Sequence, residues 1–253
     1  MSGLRLAIGF LTIFPLAPSQ VTQMGQARAY FPVVGLALGG LLAGLDFAAG
    51  QALPSPVVGA LLVVALLTLT RAIHTEGFLD SCDGLFGGYT PEKRLEILRD
   101  THVGAFAVVG CTALLLLKWT LLSSIVSDIR VGMIIVFPCL SRFGMVATMA
   151  AFAYVRAQGM GTAFQMGTKR WQVAFGLGTA AIASGALLGA AGALLLGAAI
   201  GVSLSLGRWI SGMLGGMTGD TYGAVNEVVE VVILLLGIAL FHLTPSLFQA
   251  PLS

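Results

Sequence analysis

Seven apolar runs, at 33–50, 54–73, 104–122, 131–153, 172–189, 190–206 and 224–241, with 172–206 open to another division, decide what this chain can become. Each approaches the roughly 20 helical residues that cross a hydrocarbon core of about 30 Å. Inside such a core the backbone must satisfy its own polar groups, and a run of this length does so as a helix. The composition agrees, at 57% hydrophobic residues against 9% charged ones and a mean hydropathy of +0.95. The expected fold is all-α: one polytopic integral membrane domain over 1–253, a bundle of about seven transmembrane helices. A shorter apolar run at 6–16 lies behind Arg5 and is interrupted by Pro15, with Pro18 following. No small-x-small cleavage site follows it, so it reads as an interfacial or re-entrant element and not a leader.

Cations set the orientation, because Lys and Arg in short loops stay on the cytoplasmic side. With 1–32, 71–103, 154–171 and 207–223 inside, that side collects Arg5, Arg28, Arg71, Lys93, Arg94, Arg99, Arg156, Lys169, Arg170 and Arg208, and the other keeps little beyond Arg130. Lys118, beside Trp119 near the outer end of its run, is expected to snorkel to the interface, whereas Arg142 sits too deep for that. Cys82, Cys111 and Cys139 have neither the number nor the spacing of a disulfide framework or a zinc site and read as small buried residues. A net charge of +2 gives no sign of a nucleic-acid partner. Glycine pairs four apart, Gly35/Gly39, Gly40/Gly44, Gly185/Gly189 and Gly197/Gly201, read as close helix packing.

Against this apolar background "HTEGFLDSCDGLFGG", residues 74–88, gathers three acids within eight residues. At about 100° per helical residue, Glu76, Asp80 and Asp83 project from one face within roughly 60°. Carboxylates that close repel, and they either hold protons or recruit a cation. Hard oxygen ligands suit magnesium or calcium, with magnesium bridging carboxylates to a substrate's phosphates. Gly77 and Gly84 leave room for something bulky to approach the backbone. Beyond them, Thr90 as N-cap and Pro91 at the first helical position predict a short amphipathic helix that Asp100 closes. Asp100 could swing towards the acidic face, and His102 stands nearby as a polar contact. A second polar island, "LGGMTGDTYGAVNEVVE" at 214–230, lies on the same expected side, and Asp220 is its best candidate for completing a metal site or orienting a hydroxyl. Two acidic islands facing one compartment suggest one active site, in loops 71–103 and 207–223.

These residues resemble a known family. "FLTIFPL", "AYFPVVGLALG", "HTEGFLDSCDGLFGGYTPEKRLEILRDTHVGAFA", "SRFGMV" and "GGMTGDTYGAVNEVVE" follow the order of the cobalamin-5'-phosphate synthases, the adenosylcobinamide-GDP ribazoletransferases. The acidic segment carries the resemblance. Glu76 stands where that family has Asp or Glu, and His102 where Arg is frequent. The resemblance implies a magnesium-dependent phosphoryl transfer in the bacterial inner membrane, with the site facing the cytoplasm. Adenosylcobinamide-GDP is joined to α-ribazole or its 5'-phosphate, GMP leaves, and adenosylcobalamin or its phosphate forms. It further implies Glu76, Asp80 and Asp83 as magnesium ligands, Asp100, His102 and Asp220 as catalytic groups, and Arg71, Arg94, Arg99 or Arg142 on phosphate oxygens. The partners are these small molecules and the lipid bilayer, and a homo-oligomer is compatible with such a bundle. Two alternatives remain at this point. Another membrane transferase on a diphosphate substrate, of the CDP-alcohol phosphotransferase or prenyltransferase type, would carry similar acids. A cation-coupled transporter would place them at mid-membrane in repeated halves.

Overall fold

A computed structural model describes residues 2–16, 24–156 and 169–249. Nine helices order them: α1 (Ser2–Leu11), α2 (Phe31–Gly50), α3 (Ser55–Leu69), α4 (Ile73–Gly87), α5 (Pro91–Ile97), α6 (Ala105–Ser124), α7 (Ser127–Ala151), α8 (Arg170–Leu214) and α9 (Gly219–Leu243). Short 3₁₀ segments occupy Met24–Tyr30 and Pro245–Phe248. Among the described residues the only strand-like pairing is an isolated bridge between Tyr154 and Met217. The all-α membrane bundle expected from the apolar runs is the fold observed. Among the described residues five helices are long and apolar enough to cross a membrane, or six candidate spans if the bent pair α3–α4 is taken as one, with α8 counted once.

The longest helix, α8, has 45 residues and is not straight. Gly189 adopts φ 59°, ψ −139°, a conformation open to glycine alone, and the chain folds back there so that Gly192 meets the carbonyl of Ser184. The division of 172–206 into two legs therefore falls where the apolar runs were parted. At the same end of the bundle, Arg130 Nη2 donates to Asp46 Oδ1 at 2.6 Å and Nη1 to the Leu122 carbonyl at 3.0 Å. The 3₁₀ segment Pro245–Phe248 closes over Gly189 there, with the Leu247 carbonyl 3.0 Å from where a Gly189 Cβ would stand.

Helix α7 forms the axis of the bundle and is enclosed almost continuously from Met133 to Val146. Of the four glycine pairs, one does the expected work. Gly35 and Gly39 of α2 lie against the α7 backbone at Pro138, Cys139 and Ile135, whereas Gly40, Gly44, Gly185, Gly197 and Gly201 face open space. Cys82 and Cys139 are buried and Cys111 half-buried, all as free thiols.

At the opposite end, α3 and α4 meet at 90°. The corner is made by Arg71 (φ 54°) and Ala72 (φ 51°), both left-handed without being glycine, a conformation that costs roughly 1–2 kcal/mol per residue. Several contacts hold it. Ile13 N donates to the Leu69 carbonyl at 2.8 Å, and Arg71 Nη2 donates to the carbonyls of Gly9 and Phe10 at 3.2 and 3.3 Å. Helix α1, ten residues long and about half of what a crossing needs, is thus docked on the corner. The segment 71–103, expected as a loop, is mostly helical, and most of the expected loop 154–171 lies outside the described residues. Thr90 and Pro91 start α5 as expected, with Thr90 Oγ1 accepting from Lys93 N at 3.3 Å.

Candidate active site

Helix α4 carries the three acids on one side, and α9 crosses it at two glycines. A Cβ on Gly77 would stand 2.6 Å from the Asp220 carbonyl, and one on Gly223 would stand 3.0 Å from that of His74. Side chains at either position would hold the helices apart. The bulky neighbour anticipated beside Gly77 is therefore the start of α9, and this close approach brings the two acidic islands together. Gly84 similarly admits Leu98 and the Arg94 carbonyl at the end of α5. Thr218 caps α9, its hydroxyl accepting from Thr221 N at 3.2 Å, so Asp220 is presented in the first turn, where the helix dipole favours an anion.

Two cavities open at this crossing. The first, about 260 Å³, is lined by Glu76, Asp80, Asp220 and His74 together with Phe10, Ile73, Met145, Met149 and Tyr222. The second, about 390 Å³, lies between α4 and the turn after α5 and is lined by Glu76, Asp80, Asp83, Arg99, Asp100 and His102. Glu76 and Asp80 belong to both and form the wall between them.

The acids are not equivalent. Asp83 is committed to the start of α6, its carboxylate accepting from Gly104 N at 2.6 Å and Ala107 N at 2.9 Å. Among the described residues no three His, Cys, Asp or Glu side chains converge on a point that could hold a metal. Glu76, Asp80 and Asp83 thus share a helix face without forming a ready cage, because the third is turned to the α6 N-terminus. Asp220 Oδ2 accepts from Arg156 Nη2 at 2.8 Å, and the same nitrogen donates to the Leu98 carbonyl at 3.1 Å. Asp100 accepts from the backbone and ring nitrogens of His102 at 3.0 and 2.6 Å. The backbone bond first, and the ring contact second, hold its carboxyl below the usual carboxylate range.

The four arginines considered for phosphate part company. Arg99 lines the second cavity. Arg94 is half-buried, donating from Nε to the Gly88 carbonyl at 2.9 Å and from Nη1 to that of Met213 at 3.4 Å. Arg71 braces the corner. Arg142 lies inside the bundle, its guanidinium on the carboxylate of Glu230, and lines neither of the two cavities. Lys118 does not snorkel: it is buried, and its Nζ donates to Glu227 and Glu230 at 2.5 Å each. Inside the bundle the ammonium is paired with both carboxylates. Asn226 Nδ2 adds a bond to Glu230 at 3.1 Å. The second polar island therefore divides, Asp220 going to the cavities and Asn226, Glu227 and Glu230 to a buried ion cluster. Sequence reasoning left out Arg156 and His74 as site residues. The one signal for Arg156 is a cation just past a span, and for His74 its place two residues before Glu76.

A polytopic helical membrane protein with two adjoining cavities at one end and carboxylates on their common wall has the architecture of a membrane-embedded enzyme acting on small molecules. Comparison narrows the class to a family. The family model described as cobalamin-5-phosphate synthase matches residues 3–239, and the chain belongs to that family. An adenosylcobinamide-GDP ribazoletransferase of Desulforamulus reducens is 36% identical over 243 residues, covering 93% of this chain and 95% of its own. One of Desulfitobacterium hafniense is 38% identical over 255 residues (93% and 96%), and one of Deinococcus radiodurans 37% over 242 (91% and 83%). No solved structure matches the chain.

Proposed function

We propose that this protein joins adenosylcobinamide-GDP to α-ribazole or α-ribazole 5'-phosphate, releasing GMP and forming adenosylcobalamin or its 5'-phosphate. What carries the reading is the named activity of relatives that are 36–38% identical along more than nine-tenths of the chain. Neither a CDP-alcohol phosphotransferase nor a transporter is favoured by that match.

The site is suited to the chemistry. Attack of a ribose hydroxyl on a diphosphate puts negative charge on the transferring and leaving oxygens, and a fixed positive counter-charge lowers that barrier. The donor set on the shared wall, Glu76 and Asp80 with Asp220 opposite, consists of hard oxygens, and magnesium is usually held by one or two carboxylates plus phosphates and waters. Glu76 and Asp80 would hold it, and it would supply the counter-charge. Arg99, in the second cavity, is placed for phosphate oxygens. Asp83 positions α4 against α6, Arg156 fixes the Asp220 carboxylate that lines the first cavity, and Asp100 orients His102. Cations at the site end, among them Lys93, Arg94, Arg99 and Arg208, support a cytoplasmic face in the inner membrane.

The test is GMP release from adenosylcobinamide-GDP by protein purified in detergent with magnesium. Release should depend on added α-ribazole 5'-phosphate, with corrinoid and ribazole found in one product. Release that ignores ribazole would overturn the reading.

A further inference from the structure

The two cavities differ in lining, and one group in the first is unused. His74 is 4% exposed, and neither ring nitrogen has a hydrogen-bond partner. A buried donor left unpaired is costly, so it calls for a partner that arrives with a ligand. His74 lines the first cavity together with the carboxylates Glu76, Asp80 and Asp220, the apolar Phe10, Ile73, Met145 and Met149, the ring and hydroxyl of Tyr222, and three glycines. Among those lining side chains the donors are its imidazole N–H and the Tyr222 hydroxyl.

We infer that the first cavity takes the base of the acceptor nucleoside and that His74 donates a hydrogen bond to that base's one ring-nitrogen acceptor. The inference rests on the proposed reaction and adds a division of labour between the cavities. A flat aromatic base suits walls of Phe, Tyr and two Met, since thioether sulfur and ring faces both attract aromatic rings. A benzimidazole carried on ribose through one nitrogen keeps a single hydrogen-bonding atom, the second nitrogen, which accepts and cannot donate. Carboxylates cannot satisfy an acceptor, whereas an imidazole N–H can, in either tautomer. At about 260 Å³ the cavity is at the small end of ligand sites and excludes a corrin ring, which is far larger. The base then sits in the first cavity with its sugar towards the wall of Glu76 and Asp80, and the diphosphate enters from the second, beside Arg99.

Direct binding tests this without turnover. Tritiated α-ribazole and the matching indole riboside, in which the acceptor nitrogen is CH, are titrated by equilibrium dialysis against the protein in lipid nanodiscs. The wild type should bind α-ribazole about tenfold more tightly than the indole riboside. In His74→Phe and His74→Leu the two ligands should bind alike. Met149→Trp, which fills the same cavity from another side, should weaken both ligands equally. Equal binding of the two ligands by the wild type, or an unchanged tenfold preference in folded His74→Phe, overturns the assignment to His74 while leaving the reaction standing. Failure of the wild type to bind α-ribazole at all would instead strike the proposed function itself, and this inference with it.

Discussion

Replacing Lys118 by Met probes the one place where this bundle spends four charges on its interior. Lys118 and Arg142 balance Glu227 and Glu230, and all four are buried. The two carboxylates are not equally exposed to the loss. Glu230 keeps Arg142, Asn226 and Ser141, but Lys118 is the ion-pair partner of Glu227, at 2.5 Å. Breaking a buried pair from one side costs about 3–5 kcal/mol, because the partner is left charged and unsolvated. For a chain of this size that corresponds to a fall in Tm on the order of 10 °C. A fluorogenic thiol dye reads it directly, since Cys82 and Cys139 are buried until the bundle opens. The asymmetry supplies the control. Lys118→Met with Glu227→Gln removes the orphaned charge and should recover most of the loss, whereas Lys118→Met with Glu230→Gln should not, because Arg142 then loses its partner too. A single Lys118→Met variant melting within about 2 °C of wild type, a shift worth less than about 1 kcal/mol, would refute the ion-cluster account.

Other perturbations separate chemistry from support. Asp80→Asn should reduce turnover by more than about 100-fold, the scale of losing one electrostatic stabiliser, with an unchanged melting curve, while Glu92→Gln, on the exposed side of α5, should leave activity within about twofold; a large loss in the latter would move the site towards α5. Arg156→Gln frees the Asp220 carboxylate and the Leu98 carbonyl at once, so the KM for ribazole should rise about tenfold, consistent with loss of one charge-assisted bond; an unchanged KM would make Asp220 a structural cap. Ala72→Gly relieves a left-handed residue at the α3–α4 corner and should raise stability by about 0–1 kcal/mol, the strain released less the added chain entropy, as read by the same dye; a marked loss would mean the corner depends on the alanine methyl.

The bundle was legible because membrane crossing is a property of single segments. Apolar length marks most of the long helices, while the 172–206 stretch, open to more than one division in the sequence, turns back at Gly189. Thr90 and Pro91 marked α5 for the same reason, since capping is local. The acidic face of α4 followed from helical spacing, but not the diversion of Asp83, whose partners Gly104 and Ala107 are 21 and 24 residues away. Lys118 was misplaced because depth along a helix can be judged from sequence and rotation about its axis cannot; its partners lie 109 and 112 residues away. Asp46, which meets Arg130 across 84 residues, gave no signal for the same reason. His74 was passed over because its distinguishing property, burial without a partner, belongs to the packed cavity and to no motif.

On the proposed function, metal and diphosphate meet at Glu76 and Asp80, on the wall common to both cavities. Anomalous scattering from manganese in crystals grown with adenosylcobinamide-GDP tests it most directly. The account expects one strong peak in contact with Glu76 and Asp80, on the side of Asp220, that disappears in Asp80→Asn. A peak elsewhere in the bundle, or one at that wall that persists in Asp80→Asn with full occupancy, would contradict it.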